Sequence, residues 1–187
     1  MKKLFLTLLT AVFALAACVN KPTAEKAATG VNEYAADEAK ADGIQRMQPY
    51  HYADTVRMDG HTYVYTIHRE ASDSLPMVVD DEGTRYADNV YKLTIQADGH
   101  SFFDRRFTKS AFASYLSSDF RTKGILDGMM FDETQPALTF AVSVSLPQSD
   151  MMEPLLLRID RQGGIAIQRD ERGEADLNAT ADDEDGV

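Results

Sequence analysis

The stretch "ALTFAVSVSL", residues 137–146, carries the clearest strand pattern in this chain. Its apolar side chains, Leu138, Phe140, Val142, Val144 and Leu146, alternate with Thr139, Ser143 and Ser145. Alternation with a period of two places the apolar set on one face of an extended strand. A strand that is apolar on one face only is typical of an antiparallel sheet with one covered side.

Three further stretches alternate in the same way around turn signals. The pair Asp59-Gly60 separates "DTVRM" from "HTYVYTIHRE", and Asp98-Gly99 separates "NVYKLTIQ" from "HSFFDRRF". Gly163-Gly164 divides "PLLLRIDRQGGIAIQRD" between two apolar runs. Such dipeptides favour two-residue hairpin turns, so the sequence predicts three β-hairpins.

One segment, "TKSAFASYLSSDF", breaks the alternation. Thr108 is a suitable N-cap, and Phe112 and Leu116 follow at helical spacing. We therefore expect a mainly β (α+β) fold, with one antiparallel β-sheet or barrel-like domain and a single short helix, Lys109–Ser117, packed on it. The side chains predicted to be buried are Tyr63, Tyr65, Ile67, Leu93, Ile95, Phe140, Val142, Val144, Leu157 and Ile159.

The first eighteen residues predict an export signal that ends in a lipidation site. Lys2 and Lys3 precede an apolar run too short to span a bilayer, which is typical of a cleaved signal peptide. Leu15-Ala16-Ala17-Cys18 resembles the bacterial lipobox, and Cys18 is the chain's single cysteine. We expect a diacylglycerol on Cys18, which would tether the protein to a membrane. The alternative is a plain secreted protein in which Cys18 has no such role.

Composition divides the rest of the chain into three parts. Residues 18–49 are rich in Ala, Glu, Asp and Lys, and they are predicted to form a lipidated cysteine followed by a flexible tether. Residues 50–169 form the predicted β-rich globular domain. Residues 170–187 form an acidic tail that is predicted to be disordered. Residues 1–17 are the predicted signal peptide.

The charge of the chain limits its partners. The net charge of -11 becomes -13 when Lys2 and Lys3 leave with the signal. Such a charge argues against nucleic acid, whose phosphates call for clustered basic residues. Val19 and Asn20 lack an aspartate of the kind that retains some lipoproteins at the inner membrane. The expected location is the bacterial cell envelope, with the protein lipid-anchored at the outer membrane and facing the periplasm.

Several stretches, in order behind the lipobox, resemble a known group of sequences. "YADNVYKLTI", "SFFDRRFTKSAF", "KGILDGMMFD", "LTFAVSVSLPQSD" and "LLLRIDRQGGIAI" are similar to small Bacteroidales-type lipoproteins that carry a domain of unknown function. The resemblance covers most of residues 75–169. It implies a bacterial envelope location and assigns no catalytic residue.

No catalytic motif and no cofactor site is evident in the sequence. The four histidines lack zinc-ligand spacing, and no serine lies in a Gly-x-Ser-x-Gly turn. Two weaker candidates come from loops. The oxygen ligands of Asp80, Asp81, Glu82 and Asp88 suit calcium, although the register of a known calcium loop is missing. Met151 and Met152 on the "PQSDMMEP" loop could form an adaptable partner contact.

Two classes of function therefore remain open. The first is a non-catalytic binding or accessory module that meets another envelope protein, a peptide or a glycan. The alternative is an envelope hydrolase whose site assembles from scattered Asp, Glu and His residues, or a calcium-binding module. A deep pocket with desolvated carboxylates would favour the hydrolase, whereas an exposed patch or a bare sheet edge would favour binding.

Overall fold

The structure is a computed structural model that describes residues 43–172. Its strands are β1 (Ile44–Gln45), β2 (Tyr50–Met58), β3 (His61–Ala71), β4 (Val78–Val79), β5 (Arg85–Tyr86), β6 (Asn89–Ala97), β7 (His100–Phe107), β8 (Ile125–Phe131), β9 (Leu138–Ser145), β10 (Met152–Ile159) and β11 (Ile165–Arg169). A 3₁₀ helix (Lys109–Tyr115) and α1 (Ser118–Lys123) lie between β7 and β8. The fold is mainly β, as the alternating patterns predict.

The strands form three sheets, so the expectation of one sheet or a barrel is wrong. The first sheet has the order β2-β3-β6-β7 and the second β11-β10-β9-β8, and both are antiparallel. A small sheet, β1-β5-β4, is the third. The helical segment after β7 places Phe112, Leu116 and Phe120 in the core. This segment lies between β7, an outer strand of the first sheet, and β8, which pairs with β9 at the edge of the second.

One hydrophobic core lies between the two large sheets. All ten side chains predicted above to be buried lie in it, including Leu93, Phe140 and Leu157, which are 0% exposed. The ring of Tyr65 on β3 meets Phe140 on β9 edge to face, with centroids 5.6 Å apart. Burial of this apolar surface is the main favourable term in the fold.

The predicted single helix is two short helices instead. Phe112, Leu116 and Phe120 have the spacing of one continuous helix, and all three are buried. However, the backbone is extended at Leu116 and Ser117. The Ser117 N–H donates to the Glu153 carboxylate at 2.9 Å. This hydrogen bond to β10 stabilises the break between the helices.

The two Asp-Gly hairpin turns are confirmed, whereas the third hairpin forms through five residues, 160–164, and not through a two-residue Gly163-Gly164 turn. Asp59 and Gly60 both have positive φ, 52° and 81°, and Asp98 and Gly99 repeat the pattern at 50° and 82°. Positive φ at both central residues is the signature of the type I′ turn. Asp98 also joins two hairpins, because its Oδ1 accepts the Thr62 N–H at 2.9 Å.

Residues 43–49 lie inside the segment predicted as a tether, and they contribute to the ordered structure. β1 pairs in parallel with β5. Met47 is buried in a second, smaller core with Val78, Tyr86 and Ile125. No helix within residues 43–172 has the length and apolar character needed to cross a membrane.

Candidate functional site

A group of buried and partly buried polar side chains links the two large sheets. We call it the polar cluster, and its members are Arg69, Asp88, Asn89, Lys109 and Asp127. Arg69 on β3 donates from Nη1 to the Asp127 carbonyl oxygen on β8 at 3.0 Å. Asn89 on β6 donates from Nδ2 to the Leu126 carbonyl oxygen, also on β8, at 2.9 Å. Both bonds therefore cross from the first sheet to the second.

Asp88 is the most buried carboxylate of the polar cluster, with 4% of its surface exposed. Its Oδ1 accepts the backbone N–H groups of Asn89 and Leu126 at 2.8 and 2.9 Å. Its Oδ2 lies 3.6 Å from Lys109 Nζ, which also donates to the Gly124 carbonyl oxygen. Burial raises the pKa of Asp88 and lowers the pKa of Lys109. The backbone bonds favour a structural role for this pair over a catalytic one.

Asp127 lies at an irregularity in the pairing of β8 with β9, between Leu126 and Gly128. Its two carboxylate oxygens accept the hydroxyls of Ser143 and Ser145, each at 2.7 Å. Burial raises the pKa of Asp127, although both serine hydroxyls act in the opposite direction. Bulges often redirect a side chain, and here the redirected carboxylate binds β8 to its neighbouring strand.

Replacing Asp127 with Asn is expected to change the pH dependence of stability. Because the folded-state pKa of Asp127 lies above its ordinary value, its contribution to stability is fully present below about pH 3.9 and is lost as the pH rises through the folded-state pKa. Asp127→Asn cannot ionise and can still bond both serines. The difference in free energy of unfolding between Asp127→Asn and the wild type should therefore shift in favour of the variant from pH 3 to pH 7.

The matched variant for this measurement is Asp127→Ala. It removes both serine contacts, so it should lower the free energy of unfolding by about 2 kcal/mol at pH 7. Denaturant titrations at several pH values measure both variants. A difference between Asp127→Asn and the wild type that is constant from pH 3 to pH 7 would contradict the assigned direction of the shift.

An open cleft of about 290 Å³ lies beside the β2–β3 and β10–β11 turns, where β2 and β10 end and β9 begins. Its apolar wall contains Tyr63, Leu138 and Ile159, which are at least nine-tenths buried. Met58 and Ala137 extend this apolar lining. Small-molecule and peptide sites are concave and mostly apolar, with a few polar groups at fixed positions.

Charged side chains from two turns line the rim of the cleft. Arg161 Nη2 lies 2.8 Å from the Asp59 carboxylate, which joins the β10–β11 turn to the β2–β3 turn. Asp160 Oδ1 accepts the N–H groups of Gln162 and Gly164 and so holds its own turn. Arg158 also lines the cleft, and no ion pair of Arg158 is present among residues 43–172. Neither Asp88 nor Asp127 lines it.

The acidic residues considered for calcium have separate partners. Asp80 Oδ1 accepts the N–H groups of Glu82 and Thr84, and its Oδ2 accepts the Tyr86 hydroxyl. Hydrogen bonds from Thr84, Tyr86 and Glu82 lower the pKa of Asp80 against the opposing effect of desolvation. Asp81 pairs with Lys123, and Asp88 belongs to the polar cluster. In the described part of the chain, no three His, Cys, Asp or Glu side chains form a group that could hold a metal ion.

The histidines and the loop methionines lie at the surface. His51 and His68 are opposite one another on β2 and β3, and His61 Nδ1 lies 2.6 Å from Asp98. Met151 and Met152 are exposed at 59% and 38%, at the turn before β10 and at its first residue. Their role as a partner contact stays a prediction. Cys18 lies outside the described residues, so its lipidation also stays a prediction.

Sequence reasoning did not find the polar cluster or the cleft. Two signals were available for the cluster. Asp127 is an acidic residue inside the otherwise apolar "GILDGMMF", and Lys109 follows the inward Phe107 at the start of the helical segment. No comparable signal marks the cleft, because its lining comes from segments far apart in sequence.

Comparison with known proteins places the chain in a family. The DUF4738 family, described as a domain of unknown function, matches residues 29–167, and the chain belongs to it. The match spans most of the chain and is consistent with the resemblance to proteins that carry a domain of unknown function. No curated protein matches the sequence.

Proposed function

We propose that this member of the DUF4738 family is a lipid-anchored envelope protein that works as a non-catalytic binding module. The observation that supports binding is the cleft between the turns, with its apolar wall of Tyr63, Leu138 and Ile159. Its partner in this proposal is an apolar peptide segment of another envelope protein.

The chemistry of the cleft supports such a partner. A volume of about 290 Å³ suits one or two apolar side chains, since complete small-molecule pockets are commonly larger. The Arg158 guanidinium at the rim can donate hydrogen bonds to peptide carbonyls or to a carboxylate of the partner. Association would bury the apolar surface that the half-buried Met58 and Ala137 still expose, which provides the driving force.

The location in this proposal is the outer membrane, on the periplasmic side. It depends on the lipobox at Leu15-Ala16-Ala17-Cys18 and on the residues that follow it. A tether between the lipid and the folded domain would let the cleft reach partners at a distance from the membrane.

The buried ionisable groups favour binding over hydrolysis. A hydrolase needs a carboxylate, histidine or serine that can reach a bound substrate. Asp88 and Asp127 have raised pKa values, but neither lines the cleft, and their oxygens are engaged by backbone N–H groups, Lys109 and two serine hydroxyls. The carboxylates that do line the cleft are engaged at the turns, Asp59 with Arg161 and Asp160 with the N–H groups of Gln162 and Gly164. We therefore advance the binding module and not the hydrolase.

Filling the cleft is expected to reduce partner binding at least tenfold. In Ala137→Trp the indole would occupy the cleft and exclude an apolar side chain of the partner. The measurement is photo-crosslinking in native membranes, with a photoreactive amino acid placed at Met58, where it faces the same cleft. A crosslinked protein should be obtained from the wild-type background and should be lost with Ala137→Trp.

The matched control is Ala166→Trp, which adds the same side chain at an exposed position on β11. It should leave the crosslink unchanged. Thermal unfolding of both variants shows whether the fold is retained. If Ala137→Trp and Ala166→Trp retain the crosslink equally, the cleft does not bind the partner.

A further inference from the structure

Two histidines face each other on the side of the first sheet that is turned away from the core. His51 on β2 lies directly opposite His68 on β3. Along an antiparallel hairpin, hydrogen-bonded pairs alternate with non-hydrogen-bonded pairs, and the pair that closes a two-residue turn, here Met58 and His61, is hydrogen-bonded. Counting from the turn, His51 and His68 form a non-hydrogen-bonded pair, the type in which facing side chains lie closest.

The two imidazole rings are close enough to share one metal ion. Their centroids are 6.2 Å apart, and the ring planes are tilted by 59°. With metal–nitrogen distances of about 2.0 Å, the centroids of two imidazoles on one ion lie about 4.5 Å apart in a cis arrangement and about 6.3 Å apart in a trans arrangement. The observed separation falls within this range. Both side chains reach solvent, so rotation about their side-chain bonds can direct one nitrogen of each ring to the ion.

The ring nitrogens of this pair are available as ligands. In the described part of the chain, neither His51 nor His68 makes a hydrogen bond or an ion pair. The other two histidines differ. His61 Nδ1 lies 2.6 Å from the Asp98 carboxylate, and His100 Nδ1 lies 3.1 Å from the Asp98 carbonyl oxygen. A neutral imidazole with a free nitrogen is the commonest metal ligand in proteins.

The cations near the pair have carboxylate partners of their own. Lys92 on β6 lies opposite His68, but its Nζ is 3.3 Å from Asp104 on β7, which is the neighbour of β6 on its other side. Glu70, two residues from His68 on the same face, lies 3.4 Å from Arg106 Nη2. These carboxylates offset the repulsion that Lys92 and Arg106 would exert on a bound metal ion.

We propose that His51 and His68 bind one divalent transition-metal ion, and that copper(II) is the ion they bind most strongly. Imidazole nitrogens suit copper, nickel and zinc, and copper(II) has the highest affinity among these ions for a given set of nitrogen ligands. Its tetragonal coordination leaves positions that solvent can fill beside two protein ligands. A two-ligand site is compatible with the finding that residues 43–172 contain no metal-holding group of three His, Cys, Asp or Glu side chains.

A bound ion would link the outer strand of the first sheet to its neighbour. Among the described strands β2 pairs with β3 alone, so a shared ion would add a contact between them. An ion that binds only the folded state raises its stability, so copper(II) should raise Tm. The cleft would stay open, because His51 lies seven residues, about 23 Å, along β2 from Met58. The proposal does not depend on the proposed function.

Titration of the detergent-solubilised full chain with copper(II) tests the site. Isothermal titration calorimetry should show an ion bound to the wild type whose dissociation constant rises at least tenfold in His51→Gln and in His68→Gln. Each substitution removes one of the two nitrogen ligands and keeps a polar side chain at the surface. Copper(II) should also raise Tm of the wild type by more than it raises Tm of either variant.

His61→Gln is the matched control, because it removes a histidine from the same hairpin that faces Met58 and not a second histidine. It should bind copper(II) as the wild type does. Thermal unfolding without metal shows that the three variants retain the fold. The proposal would be overturned if the wild type binds no copper(II), if His51→Gln and His68→Gln bind it as tightly as the wild type, or if His61→Gln weakens binding equally.

Discussion

Gly124→Ala is expected to lower the free energy of unfolding by about 3 kcal/mol, which corresponds to a fall of about 10 °C in Tm. The reason is space and not backbone conformation, since φ at Gly124 is an ordinary -76°. A Cβ at this position would lie 2.7 Å from Val144 Cγ1 and closer still to the Phe120 carbonyl oxygen. The oxygen belongs to α1 and Val144 is in the core, so neither can move without disturbing the packing.

The same substitution would disturb the polar cluster. The Gly124 carbonyl oxygen accepts from Lys109 Nζ, which also neutralises Asp88. A shift of Gly124 therefore weakens the contacts of a buried charge pair, and a broken buried pair is strongly destabilising. Thermal and denaturant unfolding of the purified chain measure the effect.

Gly83→Ala is the matched control for Gly124→Ala. Gly83 has φ +87° and no heavy atom within 4 Å of an added Cβ, so alanine there meets conformational strain alone. The expected loss is about 1 kcal/mol. If the two variants lose equal stability, the close approach of Gly124 to Phe120 and Val144 does not determine the packing of this region.

Cys18→Ala is expected to abolish lipid labelling and to release the protein from the membrane fraction. The lipobox prediction places the acyl chains on the Cys18 sulfur, and alanine has no atom to which they could be attached. Each buried methylene of an acyl chain contributes about 0.8 kcal/mol to membrane binding, so the loss should be nearly complete. Metabolic labelling with a fatty-acid analogue and membrane sedimentation measure the two effects.

Thr23→Ala is the control, because it lies in the same segment but outside the lipobox. It should label and sediment as the wild type does. If Cys18→Ala still incorporates the fatty acid and still sediments with membranes, the lipobox interpretation is wrong. The binding proposal for the cleft would survive that result, since it depends on residues of the folded domain.

The candidate sites could be predicted from the sequence only in part. The two Asp-Gly hairpin turns were predictable because the φ preferences of Asp59-Gly60 and Asp98-Gly99 favour a type I′ turn whatever the surrounding structure. The polar cluster was not, because Arg69 and Asn89 of the first sheet meet the backbone of β8 only after the two large sheets have packed. At the rim of the cleft, Asp59 and Arg161 are 102 positions apart in sequence. No pattern in the residues around either one predicts that the two side chains pair.

The sequence by itself determined seven of the eleven described strands, namely β2, β3, β6, β7, β9, β10 and β11, together with the inward faces that form the core and the two Asp-Gly turns. Each of these follows from interactions over a few residues, namely the two-residue period of a strand and the φ preferences of a turn. Only the tertiary structure decided that the strands divide into separate sheets and that the helix breaks at Ser117, where Glu153 accepts its N–H. These features depend on contacts between distant segments, which a local pattern does not encode.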